Sequence, residues 1–245
     1  MHHQDLMNES ILKRRWKKFK TLKRGYYSLV TLTVLYALSF LLPILINNRA
    51  LIVKYDGSLF FPVFSGYISG KEFGQDVPGE AKYRKLKDQF AGQMGSDNWV
   101  LMPPYPYSPY EDITTEGNKM YEPPSRKHWL GTDNTGRDVF ARLCYAFNIS
   151  ISFALTLTLI NYVIGVLIGG AMGYFGGKFD LIFQRLIEVW SSLPMLFLII
   201  ILSSILKPSF LLLIGIYTLV NWISMTYLMR AEFYREKSRA YVAAA

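Results

Sequence analysis

This chain of 245 residues is 51% hydrophobic and only 18% charged, and its apolar residues stand in a few long runs, which indicates a membrane protein rather than a soluble one. The net charge of +9 would suggest nucleic-acid binding if it were spread over a folded surface, but eight basic residues stand together just before the first apolar run. A single cysteine, Cys144, excludes an internal disulfide framework and a cysteine-based zinc site, and three histidines argue against a histidine-rich catalytic or metal centre.

Residues 1–25 form a polar, basic segment in which Trp16 and Phe19 stand among lysines and arginines. This pattern is typical either of a short amphipathic helix on the inner lipid surface or of a flexible tail. A third interpretation is an arm that binds nucleic acid, but the adjoining apolar run argues against this interpretation. Because positive charge beside a membrane span holds that side in the cytoplasm, we predict a basic cytoplasmic tail and no nucleic-acid partner.

The first predicted membrane span covers residues 26–46, about 20 apolar residues, which is enough to cross roughly 30 Å of hydrocarbon. Tyr26 and Tyr27 stand where an interfacial aromatic belt belongs. The sequence Asn47-Asn48-Arg49 offers no small-residue cleavage site, so we predict an uncleaved anchor that runs from the cytoplasm to the exterior.

Residues 47–147 are predicted to form a long extracytoplasmic segment. Their eight prolines and scattered glycines predict turns and short strands or helices rather than one large core. The aromatic residues of this segment indicate that it packs against a surface instead of remaining disordered.

The stretch from His128 to Leu143 is the most distinctive in the chain. Gly131 and Gly136 have the spacing of a phosphate-binding loop, but Arg and Asp stand where that loop needs Lys and Ser or Thr, and no strand precedes it. A calcium loop fails because Gly136 follows Asp133 by three residues instead of five. The residues alone favour a turn that caps a helix, with Asp133 or Thr135 near the N-cap.

Three further apolar runs are predicted to cross the membrane, over residues 149–175, 181–206 and 210–229. In the first of these runs, Gly165, Gly169 and Gly173 recur every four residues. This spacing places small residues along one helix face and lets a neighbouring helix approach closely.

The run over residues 181–206 carries two charged residues, Arg185 and Glu188, which are one turn apart and can pair. An unpaired charge at the centre of a span costs about 3 kcal/mol, so the pair either faces protein or water within the membrane or lies at headgroup level. Pro194 predicts a kink in the middle of this span.

Residues 230–245 are basic and amphipathic, and they are predicted to be cytoplasmic like the other basic end. Four membrane crossings place both ends of the chain on the same side, in agreement with two cytoplasmic basic ends. The predicted fold class is an all-α polytopic membrane protein. Its predicted parts are residues 1–25, 26–46, 47–147 and 148–245.

The string Leu130-Gly-Thr-Asp-x-x-Gly-Arg-Asp-Val-x-x-Arg resembles the hallmark that precedes the second membrane helix in permease subunits of binding-protein-dependent ABC importers. It is most similar to the C-type subunit of the dipeptide/oligopeptide/nickel group. The outer segment, with its Tyr-Asp-Gly and Phe-Pro strings, looks like that of the microcin C/oligopeptide subgroup. The motif residues are Leu130, Gly131, Thr132, Asp133, Gly136, Arg137, Asp138 and Arg142.

Two later patterns extend the resemblance. The family pattern Asp-x-x-x-x-Arg-x-x-Asp-x-x-x-x-x-Pro is met at Asp180, Arg185 and Pro194, with Glu188 in place of the second Asp. The end of the chain resembles the start of the cytoplasmic loop that docks into the ATPase, although an alanine replaces the glutamate that names the loop, and the later membrane helices of the family are absent. The predicted coupling residues are Tyr241, Val242, Ala243, Ala244 and Ala245.

The resemblance implies the type I ABC importer transmembrane fold, in the cell inner membrane, with half of a translocation path for peptides or peptide-like substrates. It also implies a heterodimer with a second permease subunit, two ATPase domains and an extracytoplasmic substrate-binding protein. ATP would be used by the partner subunits, and this chain would bind no cofactor. No metal-ligand cluster in the sequence argues for nickel as the substrate.

Other classes of function remain open from the residues alone. A membrane receptor or sensor would bind a ligand with residues 47–147 and recruit a partner with its cytoplasmic tail, whereas a structural assembly factor would show neither ligand binding nor ATPase partners. An enzyme is disfavoured because the sequence has no phosphate loop with lysine, no Ser–His–Asp arrangement and no metal-ligand spacing. Asp133 and Asp138 could form a carboxylate pair, but nothing supplies a pocket or an acid/base partner.

Overall fold

The structure, a computed structural model, describes residues 10–92, 97–113, 121–207 and 209–239. The chain divides between Ile149 and Ser150 into two units. The first unit holds the N-terminal helices and a small sheet, and the second holds long apolar helices.

The N-terminal helices are α1 (Ile11–Thr21) and α2 (Lys23–Ser39), which are separated by Leu22 alone. Ser10 caps α1, because its hydroxyl accepts a hydrogen bond from the backbone N–H of Lys13 at 3.4 Å. The 17 residues of α2 make it about 25 Å long, which is shorter than the hydrocarbon layer of a bilayer.

The continuous helix predicted over residues 26–46 is interrupted. Helix α2 ends at Ser39, a turn follows, and the short helix α3 (Leu42–Leu45) completes the segment. Pro43 explains the interruption, because it has no N–H to donate to the carbonyl of Ser39 and its ring would clash with that carbonyl in a continuous helix.

A small antiparallel sheet lies in the segment that follows, with the order β2-β1-β3. Its strands are β1 (Ile52–Tyr55), β2 (Ser58–Phe60) and β3 (Trp99–Leu101). Asp56 and Gly57 connect β1 to β2 with φ angles of 48° and 75°, the two positive angles that a type I′ hairpin turn requires. The all-α fold class therefore does not describe this segment, whose short strands agree with the turns and short strands or helices expected for it.

The core of the first unit lies between this sheet and α5 (Tyr83–Gly92). Two shorter helical pieces, α4 (Pro62–Ser65) and a 3-10 helix (Gly70–Phe73), lead from the sheet towards α5. The ring of Phe90 stacks on that of Tyr55 with a centroid distance of 5.8 Å. The buried cluster comprises Ala50, Val53, Ile68, Phe73, Ala81, Tyr83, Leu86, Phe90 and Val100.

The long helices are α6 (Val139–Phe175), α7 (Gly177–Ser191), α8 (Met195–Ile205) and α9 (Phe210–Lys237). Helix α6 has 37 residues and is about 55 Å long, so it starts well before the predicted span and exceeds the thickness of a bilayer. Only Gly176, with φ of 62°, separates α6 from α7. The predicted spans over residues 149–175 and 181–206 left five residues between them, so the observed connection is shorter than expected.

Within the described residues, α6 and α9 are each long and apolar enough to cross a membrane, and α7 with α8 provides a third crossing if this bent pair is one span. The axes of α7 and α8 differ by 67°. Pro194 stands directly before α8. Because proline has no backbone N–H to donate a helical hydrogen bond, α7 cannot continue through this position as a regular helix. The part of the chain that the structure describes therefore has two or three helical spans of this length, and the first of the four predicted crossings is not among them because α2 has only 17 residues.

Candidate functional site

Asp138 lies at the centre of the motif loop, which we define as residues 128–142. Its side chain is fully buried, and Oδ1 accepts a hydrogen bond from the backbone N–H of Ala141 at 2.7 Å. This bond caps α6, because Asp138 directly precedes the first helical residue. The N-cap expected near Asp133 or Thr135 is therefore wrong.

The other carboxylate oxygen of Asp138 joins the loop to a distant part of the chain. The hydroxyl of Tyr105 donates to Oδ2 at 2.7 Å, and Nδ1 of His128 lies 2.8 Å from the same oxygen. Burial, and then the hydrogen bond to Asp138, raise the pKa of the Tyr105 hydroxyl, so this group remains a donor. Because both of its oxygens have partners, the carboxylate can stay buried.

His128 occupies an enclosed position beside this carboxylate. Only 1% of His128 is exposed, and its ring lies 4.4 Å from the ring of Tyr107 between centroids. Nε2 of His128 faces the carboxylate of Glu122 at 3.6 Å. The residues alone indicated no role for His128 or Tyr105, whereas the structure places both in the network around Asp138.

Asp133 organises the turn inside the motif loop. Its Oδ1 accepts hydrogen bonds from the backbone N–H groups of Thr135 at 2.9 Å and Arg137 at 3.0 Å. Its Oδ2 forms an ion pair with Arg142 in the first turns of α6. The carboxylate of Asp133 thus contacts two other motif residues, Arg137 and Arg142.

The motif glycines are required by the backbone of the turn. Gly131 has φ of 73°, and a Cβ atom at this position would lie 2.5 Å from the carbonyl oxygen of Glu122. The neighbouring Thr132 donates its N–H to that same carbonyl at 3.0 Å and accepts from the Glu122 N–H through its hydroxyl at 2.8 Å. Gly136 has φ of 71°, while the side chain of Leu130 is 46% exposed.

The motif loop attaches the start of α6 to the chain that follows α2. Tyr105 and Ala141 form a buried cluster with Leu42 and Ile46, and the hydroxyl of Tyr145 donates to the carbonyl of Ile46 at 2.9 Å. Both motif carboxylates have hydrogen-bond or ion-pair partners inside the protein. This arrangement stabilises a junction, because both carboxylates are engaged in contacts within the protein.

Replacing Asp138 by alanine is expected to destabilise the first unit by about 3 kcal/mol or more. The change leaves buried donors without an acceptor, at about 1–3 kcal/mol each, and removes a helix cap worth about 1 kcal/mol. Thermal unfolding of the purified protein in detergent measures the effect. Asp76→Ala, at an exposed position of the same unit, serves as the control. Equal unfolding temperatures for the two variants would contradict the structural role of Asp138.

A second arrangement of predicted residues lies in the other unit, where the glycine face of α6 packs against α9. A Cβ atom on Gly165 would lie 2.5 Å from Cβ of Met225, and one on Gly169 would lie 2.3 Å from the carbonyl oxygen of Thr226. Residue numbers increase together along this contact, so the two helices run parallel. Small residues permit this approach of two backbones, which a larger side chain would prevent.

Gly173 continues the same contact towards the end of α6. A Cβ atom there would lie 2.5 Å from Cβ of Phe233 and 2.9 Å from the carbonyl oxygen of Arg230. The face of the three glycines therefore meets α9 over about two turns of helix, from Met225 to Phe233. The spacing was visible in the sequence, whereas the identity of the partner helix was not.

A buried ion pair connects the start of α7 to the later part of α9. Nε and Nη2 of Arg230 donate to the two carboxylate oxygens of Asp180 at 2.5 and 2.6 Å. The hydroxyl of Tyr234 donates to Oδ2 of the same carboxylate at 3.0 Å. The side chain of Asp180 is 7% exposed and that of Arg230 is 25% exposed. This bidentate geometry is the strongest form of an Arg–carboxylate contact.

The charged residues predicted inside the third span lie on the surface of α7. Nη1 of Arg185 contacts Oε2 of Glu188 at 2.6 Å, and the two side chains are 79% and 53% exposed. A separate hydrogen bond joins α7 to α9 near the bend between α7 and α8. Nε1 of Trp190 donates to the carbonyl of Leu219 in α9 at 2.6 Å. The Arg185–Glu188 pair is separate from the Asp180 network.

The predicted coupling residues 241–245 lie outside the described residues. Across residues 10–92, 97–113, 121–207 and 209–239, no group of three or more His, Cys, Asp and Glu side chains could hold a metal ion.

The structure has long apolar helices, two of which run parallel and pack closely through a glycine face. These features define a membrane protein whose helices pack against one another. A family model described as "Binding-protein-dependent transport system inner membrane component" matches residues 165–245. This match covers the glycine face, α7, α8 and α9.

Curated relatives match over most of the chain. The inner membrane ABC transporter permease protein YejE of Escherichia coli (strain K12) is 44% identical over 233 residues, covering 94% of this chain and 67% of that protein. The peptidoglycan transport system permease protein YejE of Agrobacterium fabrum is 35% identical over 95% of this chain and 66% of its own length. The dipeptide transport system permease protein DppC of Bacillus subtilis is 39% identical over 57% of this chain and 42% of its own length.

The chain belongs to the family of inner-membrane permease proteins of ABC transporters. It spans about two thirds of the length of the Escherichia coli and Agrobacterium fabrum relatives. The family resemblance stated from the motif is confirmed. Membership of this family favours a transporter over the receptor and the assembly factor.

Proposed function

We propose that this chain is a transmembrane subunit of an ATP-driven importer and forms half of a translocation path for peptides or peptide-like substrates. The 44% identity with an ABC transporter permease over 94% of the chain carries this proposal. The dipeptide and oligopeptide names of further relatives favour peptides, and the Agrobacterium relative is named for a peptidoglycan transport system.

The partners of this subunit would be those of a binding-protein-dependent importer. They are a second permease that completes the path, two ATPase domains and an extracytoplasmic protein that delivers the substrate. ATP would bind to the ATPase domains, and this chain would have no ATPase site of its own. The family description, which names a binding-protein-dependent transport system, supports this assignment.

The membrane arrangement that accompanies this function has four crossings in a type I importer fold, with both basic ends in the cytoplasm. Helix α2 and the segment that follows it would provide the first crossing, and α6 to α9 the others. Residues 47–147 would then lie outside, where the binding protein docks. The basic residues before α2 and at the end of α9 support this orientation.

Coupling to the ATPase would start from residues 241–245, which follow α9 in the sequence after residues 238–240. Helix α9 packs on the glycine face of α6, and Arg230 of α9 holds Asp180 of α7. Because these contacts join the helices closely, a displacement at the end of α9 would move α6 and α7 with it largely as a rigid body. The motion would change access between the two sides of the membrane.

The test is to isolate the complex from native membranes through a tag on this chain, to identify its subunits by mass spectrometry, and to reconstitute it in liposomes. We expect a sister permease and an ATPase in the complex, and peptide accumulation that requires ATP and the binding protein. A complex that contains the ATPase but does not accumulate peptide would reject the substrate class. A chain isolated without a permease or ATPase partner would reject the function itself.

A further inference from the structure

Helix α1 is basic throughout and stands on the surface of the first unit. None of its eleven side chains is buried. Between Ser10 and Tyr55 the sequence contains no aspartate or glutamate, so this stretch carries a large net positive charge. The basic residues of the helix are Lys13, Arg14, Arg15, Lys17, Lys18 and Lys20.

The same helix has an apolar side. Leu12, Trp16 and Phe19 follow one another at intervals of four and three residues, which places them on one face of an α-helix. Leu12 is 79% exposed and Trp16 is 47% exposed. An exposed apolar face opposite a basic face is the pattern of a helix that lies in the plane of a membrane interface.

The position of α1 relative to a bilayer follows from α2, which begins one residue later. Helix α2 exposes apolar residues along its length, among them Leu32, Val34 and Leu38. Tyr26, near its start, lies 6.4 Å from the ring of Trp16 between centroids. Trp and Tyr rings prefer the headgroup level of a bilayer, so this contact places α1 at that level when α2 is in the membrane.

Packing at the junction keeps α1 near this position. The ring of Phe19 lies against Gly25 of α2, and the ammonium group of Lys20 lies 5.8 Å from the ring centroid of Trp16 and 5.9 Å from that of Tyr26. These cation–π distances orient a positive charge at the aromatic cluster. The helix is thus presented as a surface element beside the first apolar helix.

We propose that α1 binds the headgroups of anionic phospholipids, with Leu12 and Trp16 inserted among the lipids and the basic face towards the phosphates. A nucleic acid or an acidic protein surface would satisfy the charges but would leave the apolar face exposed to water. A membrane surface can interact with both faces, and insertion of α2 in the bilayer would hold α1 at that surface. This interaction is independent of the proposed transport function.

The experiment measures how well a probe on α1 is shielded from water in lipids of different charge. The full chain carries Leu12→Cys labelled with an environment-sensitive fluorophore, on a Cys144→Ser background, and is reconstituted in phosphatidylcholine or in an equal mixture of phosphatidylcholine and phosphatidylglycerol. We expect quenching by aqueous iodide to be several-fold lower in the anionic mixture. Shielding should decrease at high salt, because the Debye length falls from about 10 Å at 0.1 M to about 3 Å at 1 M.

Two charge variants separate α1 from general electrostatics. Replacing Lys13, Arg14, Arg15, Lys17 and Lys18 by glutamine should abolish the difference between the two lipids. The matched control replaces the same number of exposed basic residues elsewhere in the first unit and should keep the difference. The control positions are Lys71, Lys85, Lys87, Arg126 and Lys127.

The proposal is overturned if iodide quenching is the same in both lipids, or if both charge variants lose the difference equally. It is also overturned if shielding requires added RNA or a purified ATPase subunit, which would make one of these the partner of α1. Unfolding temperatures of both charge variants in detergent show whether they fold. The salt series on the labelled parent protein tests the same electrostatic interaction without any charge substitution.

Discussion

Alanine at Gly169 is expected to separate α6 from α9 and to remove most of the transport activity of the assembled complex. A Cβ atom at this position would lie 2.3 Å from the carbonyl oxygen of Thr226 and 3.0 Å from the backbone nitrogen of Arg230. Both are backbone atoms, so relief requires movement of a helix rather than a side-chain rotation. Overpacking of this kind costs about 1–3 kcal/mol, and more where the neighbouring backbone cannot move.

The direction of the change in stability is informative, because a glycine-to-alanine substitution within a helix would by its helix propensity alone stabilise the protein. Alanine improves helix propensity by about 1 kcal/mol, so any loss at Gly169 must come from packing. Gly215 in α9 is the matched control, since a Cβ atom there would meet no atom within 4 Å. We expect Gly215→Ala to keep or raise the unfolding temperature and to keep activity. Comparable stability and activity for both variants would contradict the close contact of α6 with α9.

Replacing Asp180 by alanine is expected to have the second large effect, by leaving the guanidinium of Arg230 without its carboxylate. Removal of one partner from a buried pair costs about 3–5 kcal/mol. Because Arg230 is 25% exposed and keeps some access to water, we expect a value near the lower end. The measurement is the unfolding temperature in detergent, followed by peptide-stimulated ATP hydrolysis of the complex.

Glu188→Ala is the control for Asp180→Ala, because Glu188 pairs with Arg185 on the exposed surface of the same helix. A pair at headgroup level contributes about 0–1 kcal/mol, so we expect a smaller loss of stability than for Asp180→Ala. The reversed pair, Asp180→Arg with Arg230→Asp, should recover part of the stability that either single change removes. If Asp180→Ala and Glu188→Ala were equally mild, the ion pair would not connect α7 to α9.

Patterns confined to a short stretch were readable from the residues. The Asp56-Gly57 pair carries the strongest short hairpin signal, and its turn has the two positive φ angles of that type. Pro43 was a visible reason to end the first helix early, and counting apolar residues alone missed it. The glycine spacing likewise identified one face of α6 without identifying its neighbour.

Contacts between distant residues were not readable. Tyr105 is 33 residues from Asp138, and Arg230 is 50 residues from Asp180. Nothing in the sequence around Tyr105 distinguishes it from the other tyrosines of the outer segment. Arg230 was interpreted only as a cytoplasmic positive charge, and its pairing with a buried aspartate was missed.

The residues alone establish a membrane protein with apolar helices and a permease motif, because the transfer of an apolar run into lipid is a property of that run. Helix propensity, turn chemistry and the positions of charges are likewise local. The partner of each buried carboxylate, the helix that meets the glycine face and the number of uninterrupted spans depend on the packing of the chain as a whole. These features required the tertiary structure, because a buried charge selects its partner by position in space and not by distance along the chain.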